Sequence, residues 1–402
     1  MKCSNIDTYI ISQEGFESLD RASLEALQLQ KLNHMFRRMR AHGRGDLPMQ
    51  VESLAELSSL PFTSPEDLAM APERYLLTSQ ADIARIITDH TSGTMAAAKR
   101  VFYTEGDLLS TVDFFAAGIS EMARKGDTVL ITMPFSGSFG LGDLIKNAVE
   151  KIGAYPLCAG WGKSYAVLSS MVCAYQPACY IGFPVPLLSM ARYMGESFSV
   201  KRALISGDVC PPEINKVLSE QFELYPHYGS REMCLGGAIT CPAFQGMHVR
   251  ENHFIAEIIG DDGHPVPDGE EGEMVVTTIG MLAMPLLRYR TGDWTHILPE
   301  KCPCGSVTKR IALPSRIGRD ADLLSALDDA IFVIPDVIDT FIERKGDVVR
   351  ILALCKVECK DIIRRSAEKI YPKIEVSCVI CEGYHTPLYP AKRKIVIHEV
   401  GV

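Results

Sequence analysis

Apolar side chains recur at helical spacing between positions 18 and 40, at Leu24, Leu27, Leu29, Leu32, Met35 and Phe36. This period predicts a long helix, with Arg37, Arg38 and Arg40 in its last turn, where cations suit the helix dipole. A short helix is expected around 54–57. Another should start after Ser64, which precedes Pro65, Glu66 and Asp67 in the order of an N-cap, a first-turn proline and two first-turn acids. From position 83 the period changes. Short apolar, β-branched runs at 83–88, 128–133, 155–157, 179–182 and 202–205 alternate with helical patterns at 104–123, 144–152, 164–175 and 186–194. Such βα alternation predicts an α/β fold with a mainly parallel sheet covered by helices on both faces. Ligands then bind in loops beyond the carboxyl ends of the strands, here 91–99, 134–142, 206–211 and 227–237.

After Gly246 the pattern turns antiparallel: apolar runs at 254–259 and 272–278 flank a Gly-Asp-Asp-Gly turn. A polar stretch, Gly318-Arg319-Asp320-Ala321-Asp322, reads as a hinge. Beyond it a small α+β segment is expected, with helices near 334–344 and 360–370 and strands at 348–353, 376–380 and 394–398. The expected organisation is therefore a large N-terminal domain (1–318), with helix-covered, mainly parallel sheets and a β-rich subdomain. A small mobile α+β domain (319–402) follows it.

Composition narrows the function. The chain has 402 residues, 47% of them hydrophobic, with a formal net charge of -9 and no dense Lys/Arg cluster. That argues against nucleic acid as a partner. No run approaches the roughly 20 apolar residues needed to span a bilayer, so no membrane association is expected. Residues 1–9 show no charged-then-apolar signal-peptide pattern. Thirteen cysteines, odd in number and mostly scattered, read as reduced cytoplasmic thiols rather than a disulfide framework.

The candidate chemistry starts at the loop after 83–88. Thr91, Ser92, Gly93 and Thr94 form a small, hydroxyl-rich run closing on Lys99 and Arg100. Backbone N–H groups and hydroxyls in such a loop can hold phosphate oxygens. The second Gly and the Gly-Lys-Ser/Thr ending of a P-loop are missing. Cys302 and Cys304 sit in a Cys-Pro-Cys-Gly turn, and Cys241 and His248 share one loop. Three thiolates and one imidazole make a tetrahedral zinc set. Cys355, Cys359, Cys378 and Cys381 match it in number, but Cys378-Val379-Ile380-Cys381 lies in an apolar strand, where cysteine behaves as a small hydrophobe.

Four stretches stand in one order: Thr91-Ser92-Gly93-Thr94 with Lys99, Tyr228-Gly229-Ser230-Arg231-Glu232, Arg288-Tyr289-Arg290-Thr291-Gly292-Asp293, and Gly318-Arg319. Together they resemble the acyl-adenylate-forming superfamily, over nearly the whole chain. Phe135-Ser136-Gly137-Ser138-Phe139-Gly140, Gly246-Met247-His248 and Cys302-Pro303-Cys304-Gly305 are similar to its phenylacetate-CoA ligase branch. The resemblance implies ATP-dependent activation of an aryl or short-chain carboxylic acid to an acyl-adenylate, then transfer to CoA. The alternatives are a non-CoA acceptor (a carrier protein, an amine or a reductase partner) and a nucleotide-binding scaffold without turnover.

It also implies roles. The 91–99 loop would cradle the β- and γ-phosphates, and Glu232 would hold Mg²⁺. Tyr228 would lie on the adenine, within a nucleotide site completed by Gly229, Ser230 and Arg231. Asp293 would take the ribose hydroxyls with Arg319 nearby, and Ser206, Gly207 and Asp208 would line the adenine pocket. Lys392, with Lys394 second, would be the adenylation lysine. Phe135, Phe139, Gly140, Met233 and Gly236 would wall the acyl pocket. Zn²⁺ on Cys241, His248, Cys302 and Cys304 belongs to the same resemblance, and a homodimer is left open.

Several positions depart from the superfamily pattern. Met95, Ala96 and Ala98 replace Thr, Gly and Pro. Arg231 stands where Ser or Thr is usual, and Ala321 replaces the first hinge Asp. Leu327-Asp328-Asp329-Ala330 stands where an Arg-Gly-x-Asn turn that helps thioester formation is expected.

Overall fold

The computed structural model describes residues 4–89, 99–316, 318–383, 385–388 and 392–398, with the backbone alone at Asp89 and Arg319. The chain forms two compact units, one of Met1–Glu121 with His227–Pro314 and the other of Met122–Pro226 with Ser315–Val402.

In the first unit the long amphipathic helix spans Arg21–Ala41, starting where the Asp20 side chain accepts the Ser23 N–H. Its Leu32, Met35, Phe36 and Met39 are buried with Leu57, Leu77, Ile255 and Leu287 in one core. Ser64, the expected N-cap, forms a capping box with Asp67 on the Pro65–Met70 helix, and Thr104 and Asp107 form another on Glu105–Ile119. Each box satisfies backbone donors that a helix start leaves unpaired. The strands Ile83–Asp89 and Lys99–Thr104 pair antiparallel. Ile255–Ile259, Gly272–Thr277 and Tyr289–Thr295 form the antiparallel structure expected after Gly246. Ala238–Thr240, Met247–Val249 and Arg310–Ile311 add three short antiparallel strands.

The second unit holds the parallel sheet. Thr128–Ile131 lies between Tyr155–Cys158 and Cys179–Gly182, followed outward by Arg202–Ile205 and residues 223–226 of the Glu223–Tyr228 strand. A second sheet orders Ile374–Ile380, Val348–Cys355, Val337–Lys345 and Val396–His398. Leu130, Tyr180, Leu188, Leu204's neighbour Ala203, Leu327, Ile338, Ile351 and Ile363 are among the residues of one continuous core in this unit.

The C-terminal pattern contains one correction. The stretch 334–344, expected as a helix, is the strand Val337–Lys345, and the helix comes earlier, at Arg319–Phe332. Val337, Ile338, Phe341 and Ile342 have helical spacing, but the strand is buried on both faces. Its inward polar residues, Asp339 and Thr340, take buried partners and so hide the period of two. The hinge stretch runs from Gly318, at φ 149°, into the first turn of that helix.

Candidate active site

Two side chains on one face of the Lys99–Thr104 strand meet the turn that follows Tyr228. Residues two and four apart share a strand face. Tyr103 donates its hydroxyl to the Arg231 carbonyl at 2.6 Å, and the Lys99 ammonium pairs with the Glu232 carboxylate. Tyr289 completes the set, accepting from Lys99 Nζ at 3.2 Å and donating to Glu232 Oε1 at 3.0 Å. The Lys99 and Glu232 side chains are 13% and 5% exposed, so this is a buried pair at the end of the 91–99 loop. Burial alone would push the Glu232 carboxyl up. Attraction and hydrogen bonding from Lys99 outweigh it and hold the group below its ordinary range, as an anion.

The turn that presents Glu232 has little freedom. Arg231–Met233 is a single 3₁₀ turn, and Cys234 and Leu235 follow with φ of 46° and 67°. Such values cost energy for residues with a side chain and persist only where the surroundings enforce them. Here the Leu235 N–H bonds to the Ser230 carbonyl at 2.8 Å, and Thr111 donates to the Cys234 carbonyl at 2.8 Å. Gly229 is required: a Cβ there would lie 2.1 Å from the Leu235 carbonyl oxygen.

Tyr228 and Asp293 are brought together, with the phenol donating to Asp293 Oδ2 at 2.8 Å. Burial first, and then the Asp293 charge, raise the phenol's pKa and keep it a donor. Asp293 lies on the Tyr289–Thr295 strand, whose pairing with Gly272–Thr277 is irregular between Arg290 and Trp294. Its N–H donates to Thr291 Oγ1 at 3.1 Å, and Glu273 binds both the Arg290 guanidinium and the Gly292 N–H. Arg288, in the same stretch, is a structural clamp. It forks onto Glu257 with two 3.0 Å contacts and caps the Ser58 and Leu60 carbonyls.

The other expected residues are placed as follows. Thr91, Ser92, Gly93 and Thr94 lie outside the described residues, as does the side chain of Arg319, whose backbone opens the Arg319–Phe332 helix. In the first unit Met233 is fully buried, and Gly236 backs onto Phe114, which a Cβ would meet at 2.9 Å. In the second unit Gly207 adopts φ 82°, after the Arg202–Ile205 strand and Ser206. Asp208 accepts the Val209 N–H at 2.9 Å and the Arg393 N–H at 2.7 Å, and burial raises its carboxyl to about 6. Gly140 caps the Leu141–Lys151 helix, Phe139 sits at φ 65°, and the Phe135 ring packs beside Gly142. Lys392 is exposed, next to Arg393, whose guanidinium is buried. Arg393 forks onto Asp328 at 2.9 and 2.6 Å and donates to the Thr340 carbonyl at 2.9 Å. Leu327–Ala330, where the thioester-assisting turn was expected, is instead the interior of a helix, with Asp328 committed to Arg393.

Cys241, His248, Cys302 and Cys304 converge, their donor atoms all within 4.8 Å of one another. Backbone N–H groups of Ala243 and Ser306 point at the Cys241 and Cys304 sulfurs. His248 Nε2 lies 3.4 Å from Cys304 Sγ, while its Nδ1 bonds Thr308 Oγ1 at 2.8 Å, and Thr308 bonds Ser306, which donates to Asp7. That outer chain orients the ring as a metal ligand requires. Burial holds His248 neutral by pulling its pKa down to about 4.

Tyr289, Tyr103, Glu273 and the Thr308–Ser306–Asp7 chain were not singled out as functional from sequence. Tyr289 stands within the quoted Arg288–Asp293 stretch, but its bonds to Lys99 and Glu232 reach residues far away in sequence. The others show no local pattern.

The chain is similar to known proteins over most of its length. The phenylacetate-coenzyme A ligase of Thermus thermophilus is 27% identical over 78% of this chain and 74% of its own length. The Aromatoleum evansii enzyme of the same name is 28% identical over 77% and 74%. The structure of 2-hydroxyisobutyryl-CoA ligase in the postadenylation state, in complex with 2-HIB-AMP, superposes with a TM-score of 0.76 at 17% identity, covering 95% of this chain and 90% of that one, and so shares its fold. Among the described residues no helix is long and apolar enough to cross a membrane. The profile of the AMP-binding enzyme family matches residues 28–284, and the chain belongs to that family.

Proposed function

We propose that this protein activates a small carboxylic acid, aryl or short-chain, with ATP to give an acyl-adenylate and pyrophosphate, and then transfers the acyl group to CoA. The observation that carries this reading is the Lys99–Tyr289–Glu232 set beside the Tyr228–Asp293 pair, in a chain of this family. A buried Lys–Glu pair neutralises itself until a ligand offers each member a new partner. A phosphate oxygen suits the ammonium, and a hard divalent cation suits the carboxylate.

The acid's carboxylate oxygen attacks the α-phosphorus of ATP, and the bond to the β-phosphate oxygen breaks. Charge grows on the departing pyrophosphate, and Lys99 with the Thr91–Thr94 loop would stabilise it. Glu232, kept anionic by Lys99, fits as the ligand for Mg²⁺, which when bound supplies further charge neutralisation. Asp293 would take the ribose hydroxyls, with Tyr228 supporting it and facing the adenine. Lys392 would bridge the carboxylate and the α-phosphate. Ser206, Gly207, Asp208, Gly229, Ser230, Arg231 and Arg319 would complete the nucleotide contacts. Phe135, Phe139, Gly140, Met233 and Gly236 are proposed for the acyl group. Cys241, His248, Cys302 and Cys304 would hold a structural Zn²⁺, since all four ligand positions come from protein. The described cysteines are free thiols, which supports a reducing, cytoplasmic setting.

One observation favours a second reading, transfer to an acceptor other than CoA. The Leu327–Ala330 segment is helical and its Asp328 is already used. Mass spectrometry of reactions containing ATP, Mg²⁺, CoA and a panel of aryl and short-chain acids separates the two. One AMP per acyl-CoA is the expected result. Adenylate that accumulates while CoA stays unconsumed would support the second reading, and no adenylate from any acid would overturn both.

A further inference from the structure

Cysteine sulfurs converge a second time, in the second unit. Cys355 ends the Val348–Cys355 strand, Cys359 immediately precedes the Lys360–Ala367 helix, and Cys378 lies on the neighbouring parallel strand Ile374–Ile380. Their three sulfurs lie within 4.8 Å of one another. A zinc–sulfur bond of about 2.3 Å puts tetrahedrally bound sulfurs about 3.8 Å apart, so small side-chain rotations close the difference. Cys381, although three residues from Cys378 and bonded through its N–H to the Cys355 carbonyl at 2.8 Å, does not join the group.

A single cysteine in an apolar core needs no function. Three arriving from three separate elements are different, and two further features point to ligation. Cys359 holds the position where Ser, Thr, Asp or Asn would cap the helix, and its side chain makes no capping bond. Its sulfur instead joins the other two. Cys378 is only partly buried, which leaves a side from which a cation and a water molecule can enter.

We propose that Cys355, Cys359 and Cys378 form a three-thiolate site for one thiophilic divalent cation of the zinc class, separate from the Cys241–His248–Cys302–Cys304 set. Binding exchanges three S–H protons for three metal–sulfur bonds and releases three H⁺, with water completing the fourth position. A divalent ion leaves this site with a net charge of one negative, whereas a monovalent soft ion would leave two. The apolar setting favours the smaller buried charge. The bound cation would tie the two strands and the intervening helix together.

Full-length protein loaded with excess Zn²⁺ and desalted tests this by elemental analysis. Two equivalents are expected for the wild type, one for Cys378→Ser and one for Cys304→Ser. One equivalent in both the wild type and Cys378→Ser, with none in Cys304→Ser, would overturn the proposal. Should Cys378→Ser fail to fold, Cd²⁺ titration of the wild type and Cys304→Ser decides, read by thiolate-to-metal charge-transfer absorbance. Saturation at two equivalents and one equivalent supports the site; saturation at one and none overturns it. An intact mass two hydrogen atoms lighter, with peptide mapping that places the disulfide among the three, would also overturn it.

Discussion

Two buried ion pairs in this molecule look alike in burial and differ in what they leave open. Arg393 is saturated: its guanidinium forks onto Asp328 and also donates to the Thr340 carbonyl and hydroxyl, with Asp339 3.9 Å away. Asp339 in turn accepts from Tyr165 and from the Leu388 N–H, each at 2.7 Å. No ligand could displace so many partners together, and the arrangement reads as structural. Lys99 and Glu232 share only each other and one tyrosine among the contacts described above, on a turn held in place by strained backbone. Buried charge alone does not mark a site. A buried pair whose members can exchange partners does, in the company of Tyr228 and Asp293.

That contrast can be broken in order of effect. Arg393→Met should cost about 3–5 kcal/mol of stability, since it leaves Asp328 and Asp339 buried without their cation. Chemical denaturation measures it, and a loss below 1 kcal/mol would remove the structural reading. Lys99→Met should slow adenylation by about 10²–10³-fold through lost phosphate stabilisation. Adding Glu232→Gln to Lys99→Met should recover stability, as both charges are then gone, but no activity. Recovery of both would make the pair structural too. Asp293→Ala should act mainly on the KM for ATP, with a tenfold rise expected for about 1.4 kcal/mol of lost ribose contact.

A further effect is one of pH, and its sign differs between the two regions. Glu232 has a lowered pKa, so its contribution to stability is present above the ordinary value of 4.5 and is lost as pH falls through the folded value. Asp208, beside Arg393, is raised from 3.8 to about 6, so its contribution is fully present below 3.8 and is lost as pH rises through about 6. Asp208→Asn should therefore gain stability relative to the wild type as pH rises from about 4 to about 6. Thermal melts across that range check it, and a constant difference would show that Asp208 does not titrate there.

Legibility in the sequence followed burial and locality. The strands Cys179–Gly182 and Arg202–Ile205 came out with their own bounds, because each is a short apolar run between breakers. The cap at Ser64 was readable because helix capping is local chemistry. The Val337–Lys345 strand was not, because Asp339 and Thr340 are buried for partners distant in sequence. Among the candidate site residues, Glu232, Asp293 and the Cys₃His set were singled out through motifs. Tyr289 was quoted without a role, since its bonds to Lys99 and Glu232 span 190 and 57 residues. The convergence of Cys359 with Cys355 and Cys378 depends on a parallel strand register that no local pattern encodes.

The central claim is that the Lys99–Glu232 pair opens to ATP and a divalent cation during acid activation. Acid-dependent ATP–pyrophosphate exchange by the wild type and by Glu232→Gln tests it most directly. The account predicts exchange with at least one aryl or short-chain acid, and a fall of about 10²-fold or more in the variant. Exchange at near wild-type rate in Glu232→Gln would contradict it.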